Sequence, residues 1–338
     1  MNLPVASLVT LGNTQSRAAI VPDDIGFVMC VEGNVLGSQA LLLCESLRRF
    51  GGEYRDCPIW AVSPRPEMPP ADDVVAALIR LNVAVHRVPL NRTGSSYGPI
   101  NRVVSAAWAE TRIATPYLCV LDSDTVFLRA PQFVQADAGV RPVDTKGSAS
   151  SGPADPKDAY WAQICANAGI AIDRLPALRT TVCKTPIRSS YNGGFLVSKV
   201  ALGINQLTER VFIDSFQRNL RPLPAAIGGF IASSGRVDAE AASWWGSTQA
   251  ALSAAISART DDIYLYDNEY NIPLHLFATQ KDDLPFQPKN PVLVHYHHLA
   301  AEPHRADFLE NLQRIGCAPE VCDWIAASCA GLDWTLAP

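Results

Sequence analysis

Apolar residues in the first third of the chain form short unbroken runs that alternate with longer segments of helical spacing. The runs predict buried strands at residues 26–31, 58–63, 83–88 and 117–121. The longer segments predict helices at residues 36–50, 71–81 and 99–113. This alternation predicts parallel strands joined by crossover helices, and runs without polar alternation indicate strands that are covered on both faces.

The second half of the chain has a less regular pattern. It predicts strands at residues 138–143, 191–199 (entered through a turn), 263–266 and 291–295. It predicts helices at residues 158–167, 203–220, 239–258, 302–315 and 319–330. We therefore expect an α/β fold with a Rossmann-like, mainly parallel central sheet flanked by helices. Residues 1–24 lack periodicity and are predicted to be an N-terminal extension, residues 25–300 the main domain, and residues 301–338 a C-terminal helical cap.

The composition is typical of a globular enzyme. Of 338 residues, 48% are hydrophobic and 18% are charged, and the net charge is −5. We do not expect a nucleic-acid-binding protein, because such proteins carry a basic surplus. No apolar run reaches the roughly 18 residues that a transmembrane helix needs, and the N-terminus lacks a secretory-signal pattern. Nine scattered cysteines, an odd number, are typical of free thiols, so we expect a cytoplasmic protein.

Two carboxylates follow the strand predicted at residues 117–121, in the triplet Asp122-Ser123-Asp124. Positions i and i+2 of an extended chain face the same side, so the two carboxylates can act together. Paired oxygen ligands suit Mg²⁺ or Mn²⁺, and such ions also bind substrate phosphates. The alternative is a polar turn that only ends the strand. The position at the carboxyl end of a central parallel strand, where ligands bind in such sheets, favours the metal site.

A second motif is Asn192-Gly193-Gly194. Adjacent glycines allow the backbone to approach a ligand closely, and Asn is common where φ is positive. The motif therefore indicates either a ligand-binding segment or an ordinary turn that enters a strand.

A third motif is Val294-His295-Tyr296-His297-His298, in which a short strand ends on a histidine. Imidazole is a suitable ligand for Mn²⁺, and alternation places His295 and His297 on one face if the strand continues. The alternative is a set of surface or packing histidines. Three of the six histidines within four residues favour a site.

The order and spacing of these motifs resemble those of the GT-A glycosyltransferases, and most closely the retaining family-eight type, which includes galactosyltransferases and glycogenin-like enzymes. The resemblance covers residues 26–299 and implies a GT-A catalytic domain. It implies transfer of a sugar from a nucleotide-diphosphate sugar to a hydroxyl acceptor on a glycan or small molecule. It also implies Mn²⁺, or Mg²⁺, bound by Asp122, Asp124 and His295.

The resemblance assigns further residues to the donor site. The segment after the first strand resembles one that contacts the nucleoside, and Arg102 resembles an Arg near the donor phosphates and sugar. The residues placed in the donor site in this way are Val31, Glu32, Asn34, Arg102, Ser123, Asn192, Gly193 and Gly194. The alternatives are a solvated loop carboxylate for Glu32 and a surface helix residue for Arg102.

Gln249 corresponds to a family Gln beneath the anomeric carbon, but the acids that flank it in the family are replaced by Thr248 and Ala250. This departure leaves the stereochemistry open. If the enzyme inverts configuration, a carboxylate base is needed, and Asp238 or Glu240 could serve. The family's Gly–Lys–Pro after the late His is also absent. His304 or Arg305 could supply the missing positive charge.

Two other functions remain open from the sequence. A nucleotidyltransferase can share the sheet and the paired carboxylates, but its first loop is usually glycine-rich and basic, whereas this loop carries Glu32. A non-catalytic sugar-nucleotide-binding protein is compatible with the acids that are missing beside Gln249.

Overall fold

The structure is a computed structural model that describes residues 17–222, 230–279 and 284–336. Its strands are β1 (Ile25–Cys30), β2 (Ile59–Ser63), β3 (Val83–Arg87), β4 (Tyr117–Leu121), β5 (Thr125–Phe127), β6 (Ala138–Pro142), β7 (Ala177–Arg179), β8 (Pro186–Arg188), β9 (Tyr191–Lys199), β10 (Ile231–Ala232), β11 (Gly235–Arg236), β12 (Ile263–Leu265), β13 (Ile272–Pro273) and β14 (Leu293–His295). Its α-helices are α1 (Val35–Phe50), α2 (Asp72–Arg80), α3 (Pro99–Glu110), α4 (Asp158–Asn167), α5 (Ile204–Gln217), α6 (Ala239–Ser243), α7 (Ser247–Arg259), α8 (Leu274–Ala278), α9 (Arg305–Arg314) and α10 (Pro319–Ala330).

The central sheet has seven strands in the order β12-β6-β9-β4-β1-β2-β3. The pairs β1–β2, β1–β4, β2–β3 and β12–β6 are parallel, and β9 is antiparallel to both β4 and β6. Six strands therefore run in one direction and only β9 runs against them. This arrangement confirms the expected α/β fold with a mainly parallel central sheet.

The strands of this sheet bury side chains on both faces, which explains their unbroken apolar sequence. In β1, Val28 belongs to an apolar cluster that includes α3, α5 and α7, whereas Phe27 and Met29 belong to a second cluster that includes α1. A third apolar cluster joins α9 and α10 to β14 and to Leu42 of α1. The C-terminal helices thus share an apolar cluster with the strand that carries His295, and Phe308 of α9 contacts the ring of Tyr296 just after that strand.

The reversed direction of β9 brings its first residues to the edge where β4 ends. The backbone N–H of Asp122 donates to the carbonyl of Gly194 at 3.0 Å, which extends the β4–β9 pairing beyond β4. A small separate sheet, in the order β13-β14-β5, brings in the third motif. In it His295 pairs with Thr125, the residue after Asp124. All three sequence motifs therefore meet at one edge of the central sheet.

The prediction of one continuous helix at residues 239–258 was wrong. The segment is divided into α6 and α7, and the break lies at Gly246, whose φ is +88°. A Cβ at this position would lie 1.9 Å from Oγ of Ser148, so neither the backbone conformation nor the space suits another residue. The helix predicted from residue 302 begins instead at Arg305, after a turn.

Residues 17–24, the described part of the predicted extension, pack on the main body. Ala19 forms a β-bridge with Val134, Ile20 is completely buried, and Arg17 pairs with Asp262 at 2.6 Å. Residues 1–16 lie outside the described residues, and the boundary at residue 24 stays a prediction. All nine cysteines are unpaired. In the described part of the chain, no helix is long and apolar enough to cross a membrane.

Candidate functional site

A cavity of about 560 Å³ opens at the edge of the sheet where β1, β4 and β6 end and β9 begins. It brings together most of the side chains that the sequence singled out. Those that line it are Glu32, Arg102, Asp122, Ser123, Asp124, Asn192, Asp238, Gln249 and His295. Val31, Asn34, Gly193, Gly194 and Glu240 are not part of the lining.

The floor of the cavity carries a group of potential metal ligands. Ligand atoms of Asp124, His295 and His297 lie within 4.8 Å of one another. Nε2 of His295 is 3.1 Å from Oδ2 of Asp124 and 3.8 Å from Oδ2 of Asp122. A carboxylate with two imidazoles is a donor set that fits Mn²⁺ and related ions. The predicted residues Asp122, Asp124 and His295 are thus brought together, with His297 beside them.

His297 does not reach this group by strand alternation, as its spacing from His295 had indicated. Strand β14 ends at His295, and His297 has a φ of +55°. This left-handed conformation turns the chain so that the rings of His295 and His297 lie 4.4 Å apart. The ring of His275, from α8, lies 3.7 Å from that of His297 and 6.2 Å from that of His295.

The charges of this group are set by burial and by the carboxylate. Burial by itself lowers the pKa of His295, but the charge of Asp124 and the hydrogen bond to it outweigh burial and raise the pKa to about 9. Burial would raise the pKa of Asp124, but His295 holds that pKa well below its usual range. Burial lowers the pKa of His275 to about 3 and that of His297 well below its usual value.

These pKa values predict a pH-dependent stability in EDTA. The pKa of His295 is about 9 in the folded protein and about 6.5 in the unfolded chain, so its stabilising effect is complete below pH 6.5 and is lost as the pH rises through 9. The difference corresponds to about 3 kcal/mol of unfolding free energy. Urea denaturation near pH 6.5 and above pH 9, in EDTA, measures this difference in unfolding free energy. In the His295→Gln variant the free energy of unfolding should depend less on pH than in the parent. An equal pH dependence in the two proteins would refute the assignment of this effect to His295.

The two glycines of the second motif leave room for the side chains of Arg102 and Asp122. Oδ1 of Asp122 accepts a hydrogen bond from Nη1 of Arg102 at 2.5 Å. A Cβ on Gly193 would lie 2.2 Å from Nη2 of Arg102, and one on Gly194 would lie 2.6 Å from Oδ2 of Asp122. The motif lies inside β9 and not in a turn, so the interpretation as a strand-entry turn was wrong. The bare backbone lets the Arg102–Asp122 pair lie against the sheet.

Asn192 connects the motif to an acid that the sequence reasoning missed. Its Nδ2 donates to Oδ2 of Asp144 at 3.2 Å, and its Oδ1 accepts from the N–H of Gly194 at 2.9 Å. Asp144 lines the cavity, and burial raises its pKa. It follows the strand predicted at residues 138–143, so the rule that singled out Asp122 would also have found it.

Glu32 is engaged by a second missed residue, Arg65. Its two oxygens accept hydrogen bonds from Nε and Nη2 of Arg65 at 2.5 and 2.7 Å, and Asn101 donates to it at 3.1 Å. Glu32 is only 2% exposed, so it is a buried, paired carboxylate and not a solvated loop residue. Asn34 is exposed just before α1, and Val31 is buried.

Comparisons with known proteins identify the family of this chain. The sequence family described as the Rhodobacterales glycosyltransferase domain matches residues 27–222, which is more than half of the chain. The chain belongs to this family. It is therefore an enzyme that transfers sugars. No curated protein matches the sequence.

Several solved structures share the fold of this glycosyltransferase, among them two glycosyltransferases. One is the apo structure of the bifunctional glycosyltransferase WbbM, with a TM-score of 0.50 and 12% identity over 94% of this chain. The chain spans about half of that protein, 52%. The other is the galactosyltransferase LgtC in complex with donor and acceptor sugar analogues, with a TM-score of 0.51 and 10% identity over 93% of this chain and 97% of LgtC. At these identities the likeness supports the GT-A fold alone.

The segment that departs from the family pattern contributes Thr248 and Gln249 to the cavity lining. Gln249 is half-buried in the lining. Thr248, beside it, bonds the hydroxyl of Tyr97 at 3.1 Å, and Ala250 is fully buried in the core. An acid at position 250 would therefore lose its hydration, which explains why this glycosyltransferase lacks it.

The two acids considered as bases lie in different places. Asp238 lines the cavity, but its carboxylate caps α6 by accepting from the N–H of Ala241 at 2.7 Å, and this contact lowers its pKa. Glu240 is outside the lining, where Arg221 at 2.6 Å and Trp244 at 3.0 Å donate to its oxygens. These contacts count against Glu240 as a base.

We expect Glu32→Gln to lower the free energy of unfolding by about 3 kcal/mol, because it leaves the guanidinium of Arg65 without its buried partner. Chemical denaturation measures the change. The matched control is Asp72→Asn, which removes the exposed Arg87–Asp72 pair (3.3 Å) and should cost less than about 1 kcal/mol. Equal losses in the two variants would contradict a stabilising role for the buried pair.

Proposed function

We propose that this glycosyltransferase transfers a sugar from a nucleotide-diphosphate sugar to a hydroxyl acceptor, depends on Mn²⁺ or Mg²⁺, and retains the anomeric configuration. GT-A glycosyltransferases use nucleotide-sugar donors and usually a divalent metal. The observation that carries the proposal is the group of Asp124, His295 and His297, which opens into the same cavity as the Arg102–Asp122 pair. The retaining part rests on the resemblance to the family-eight type.

Asp124 and His295 would hold the ion, with Asp122 and His297 in reach. Bound there, a divalent ion stabilises the negative charge that develops on the leaving diphosphate. The buried position of Asp124, which is 2% exposed, keeps water away from this carboxylate. The N–H of Tyr296 donates to the carbonyl of Asp124 at 3.0 Å, which ties the D-S-D loop to the histidine segment.

The chain's own side chains would orient the donor sugar. Arg102 presents a guanidinium beside Asp122, and Asn192 fixes Asp144 at the cavity wall. Gln249 lines the same cavity. Because Asp238 caps a helix and Glu240 lies outside, no free carboxylate base is evident among the predicted ones. This favours a retaining reaction, in which the leaving phosphate can accept the proton of the acceptor hydroxyl.

We also propose that residues 25–300 are the catalytic domain and residues 301–338 a cap that supports it. Helices α9 and α10 share their apolar cluster with β14, so the cap holds the strand that ends at His295. The nine unpaired cysteines support a cytoplasmic location, where thiols stay reduced.

A thermal-shift screen of UDP-, GDP- and dTDP-sugars, each without metal, with MnCl₂ and with MgCl₂, tests the donor class. A ligand that binds only the folded state raises the melting temperature. We expect at least one sugar nucleotide to raise it only when Mn²⁺ is present. If none does so, with either Mn²⁺ or Mg²⁺, the proposed donor class is wrong. Once a donor is known, NMR of the new anomeric centre separates retention from inversion.

A further inference from the structure

The cationic side chains that line the cavity differ in whether they form an ion pair. Four Arg and Lys side chains line it, and three of them are paired with carboxylates. These pairs are Arg65–Glu32, Arg102–Asp122 and Lys146–Asp155. The fourth cation, Arg236, is exposed and forms no ion pair with any residue in the described ranges. It is therefore available to bind an anion that enters the cavity.

Arg236 is carried by a short hairpin formed by β10 and β11, with Ser233 and Ser234 at its turn. This hairpin is attached to the metal-ligand end of the cavity. Oγ of Ser233 donates to Oδ2 of Asp124, and Nε2 of Gln39 donates to the carbonyl of Ser233 at 2.8 Å. Gln39 is completely buried in α1 and also accepts from Oγ of Ser123 at 3.2 Å. The turn is thus fixed to Asp124 directly and to Ser123 through Gln39.

The base of the hairpin is held as well. The ring of Phe230 meets that of Trp245 edge to face at 4.7 Å, and the N–H of Val237 donates to the carbonyl of Phe230 at 2.9 Å. A hairpin held at its turn and at its base has a defined position over the cavity. The hairpin therefore holds Arg236 at a defined position beside the cavity.

The position of Arg236 matches the diphosphate end of the site. Three residues of extended chain span at most about 11 Å, so the backbone of Arg236 lies within that distance of Ser233, which contacts Asp124. The other lining acids make the cavity unfavourable for an anion unless cations offset them. They are Glu32, Asp122, Asp144 and Asp238. A guanidinium presents a planar fork that matches phosphate oxygens.

We propose that Arg236 binds the diphosphate of the donor and that the β10–β11 hairpin positions it for this role. The inference rests on the proposed function. It replaces the expectation that His304 or Arg305 supplies this charge. The ring of His304 packs against His298 at 4.9 Å, whereas Arg305 donates to the carbonyl of Ala300 at 3.0 Å and pairs with Glu302. Neither lines the cavity.

Calorimetric titration in MnCl₂ tests the inference on the full chain. UDP, GDP and dTDP are titrated first, and the tightest of them is compared with its nucleoside. Arg236→Gln should weaken the diphosphate by about 10- to 100-fold, the range expected for hydrogen bonds between charged groups, and leave the nucleoside unchanged. Ser233→Ala should also weaken the diphosphate, and Ser233→Thr, which keeps the hydroxyl, should restore its binding. Arg80→Gln, an exposed Arg on α2 away from the cavity, is the matched control.

The outcomes separate the two levels of the proposal. If Arg236→Gln binds the diphosphate as tightly as the parent does, the role of Arg236 is wrong and the proposed function stands. Equal weakening of diphosphate and nucleoside would also overturn it, since the side chain would then act on the shape of the site. If the parent binds none of the three diphosphates, the proposed function and this inference both fail.

Discussion

Asp124→Asn is expected to lower kcat/KM for sugar transfer about 1000-fold and to weaken the binding of Mn²⁺. Asp124 is the residue on which the contacts of the site converge. His295 lies 3.1 Å from its Oδ2, Ser233 donates to the same oxygen, and Tyr296 donates to its carbonyl. The amide keeps the shape of the side chain but removes the charge that would hold a cation. The expected loss corresponds to about 4 kcal/mol of transition-state stabilisation, the scale of a metal's contribution.

Two measurements keep this result from being confused with misfolding. Mn²⁺ affinity is measured by calorimetry on protein whose unfolding transition in EDTA has been verified, and activity is measured with the donor that the thermal-shift screen selects. Asp323→Asn, on the exposed face of α10, is the control and should behave as the parent does. His295→Gln removes the charge partner and should lower Mn²⁺ affinity in the same direction. Undiminished Mn²⁺ binding in Asp124→Asn would refute the metal site.

Gly193→Ala is expected to lower kcat/KM by about 100-fold with little loss of stability. The added Cβ would lie 2.2 Å from Nη2 of Arg102 and 2.9 Å from its Cζ. The guanidinium lies at the end of a flexible side chain and can move away. The substitution should therefore lower the free energy of unfolding by only about 1 kcal/mol. That movement breaks the 2.5 Å contact with Asp122 and displaces both groups from the site. A displacement of about 1 Å costs about 100-fold in rate.

A double-mutant cycle tests whether the effect passes through Arg102. If it does, Gly193→Ala should add little to Arg102→Ala, because the group that it displaces is already absent. Additive losses in kcat/KM would show that Gly193 acts by another route. Gly331→Ala is the control. Its φ is −91° and its nearest neighbour would be an oxygen at an ordinary 3.7 Å, so both activity and stability should be unchanged.

The sequence predicted the elements around the site well. Strand β4 has the predicted bounds, β2 and β3 differ from prediction by one residue at one end, and β1 is shifted by one residue at both ends. Long, unmixed apolar runs identify such strands because each is buried on both faces of the sheet. Six strands of two or three residues, β5, β7, β8, β10, β11 and β13, were not predicted. Two or three residues are too few to show a period.

Contacts within the site were harder to predict. Glu32 was considered either a nucleoside contact or a solvated carboxylate, and its engagement by Arg65, 33 positions away, gave no local signal. The link between Ser233 and Asp124 spans 109 positions. The helix break at Gly246 was missed because an apolar period continues on both sides of it. Only the left-handed backbone and the nearby Ser148 make that break necessary.

The sequence by itself determined the α/β fold, the central position of β4 and the chemistry at its end in Asp122-Ser123-Asp124. These follow from burial and from the period of strands and helices, which act on neighbouring residues. The tertiary structure alone decided which side chains meet. The antiparallel direction of β9 places Gly193 under Arg102, and the turn after β14 brings His297 to Asp124. The β10–β11 hairpin likewise brings Arg236 to the cavity. Such contacts depend on how segments that are distant in sequence pack together. The sequence of each segment alone therefore does not predict them.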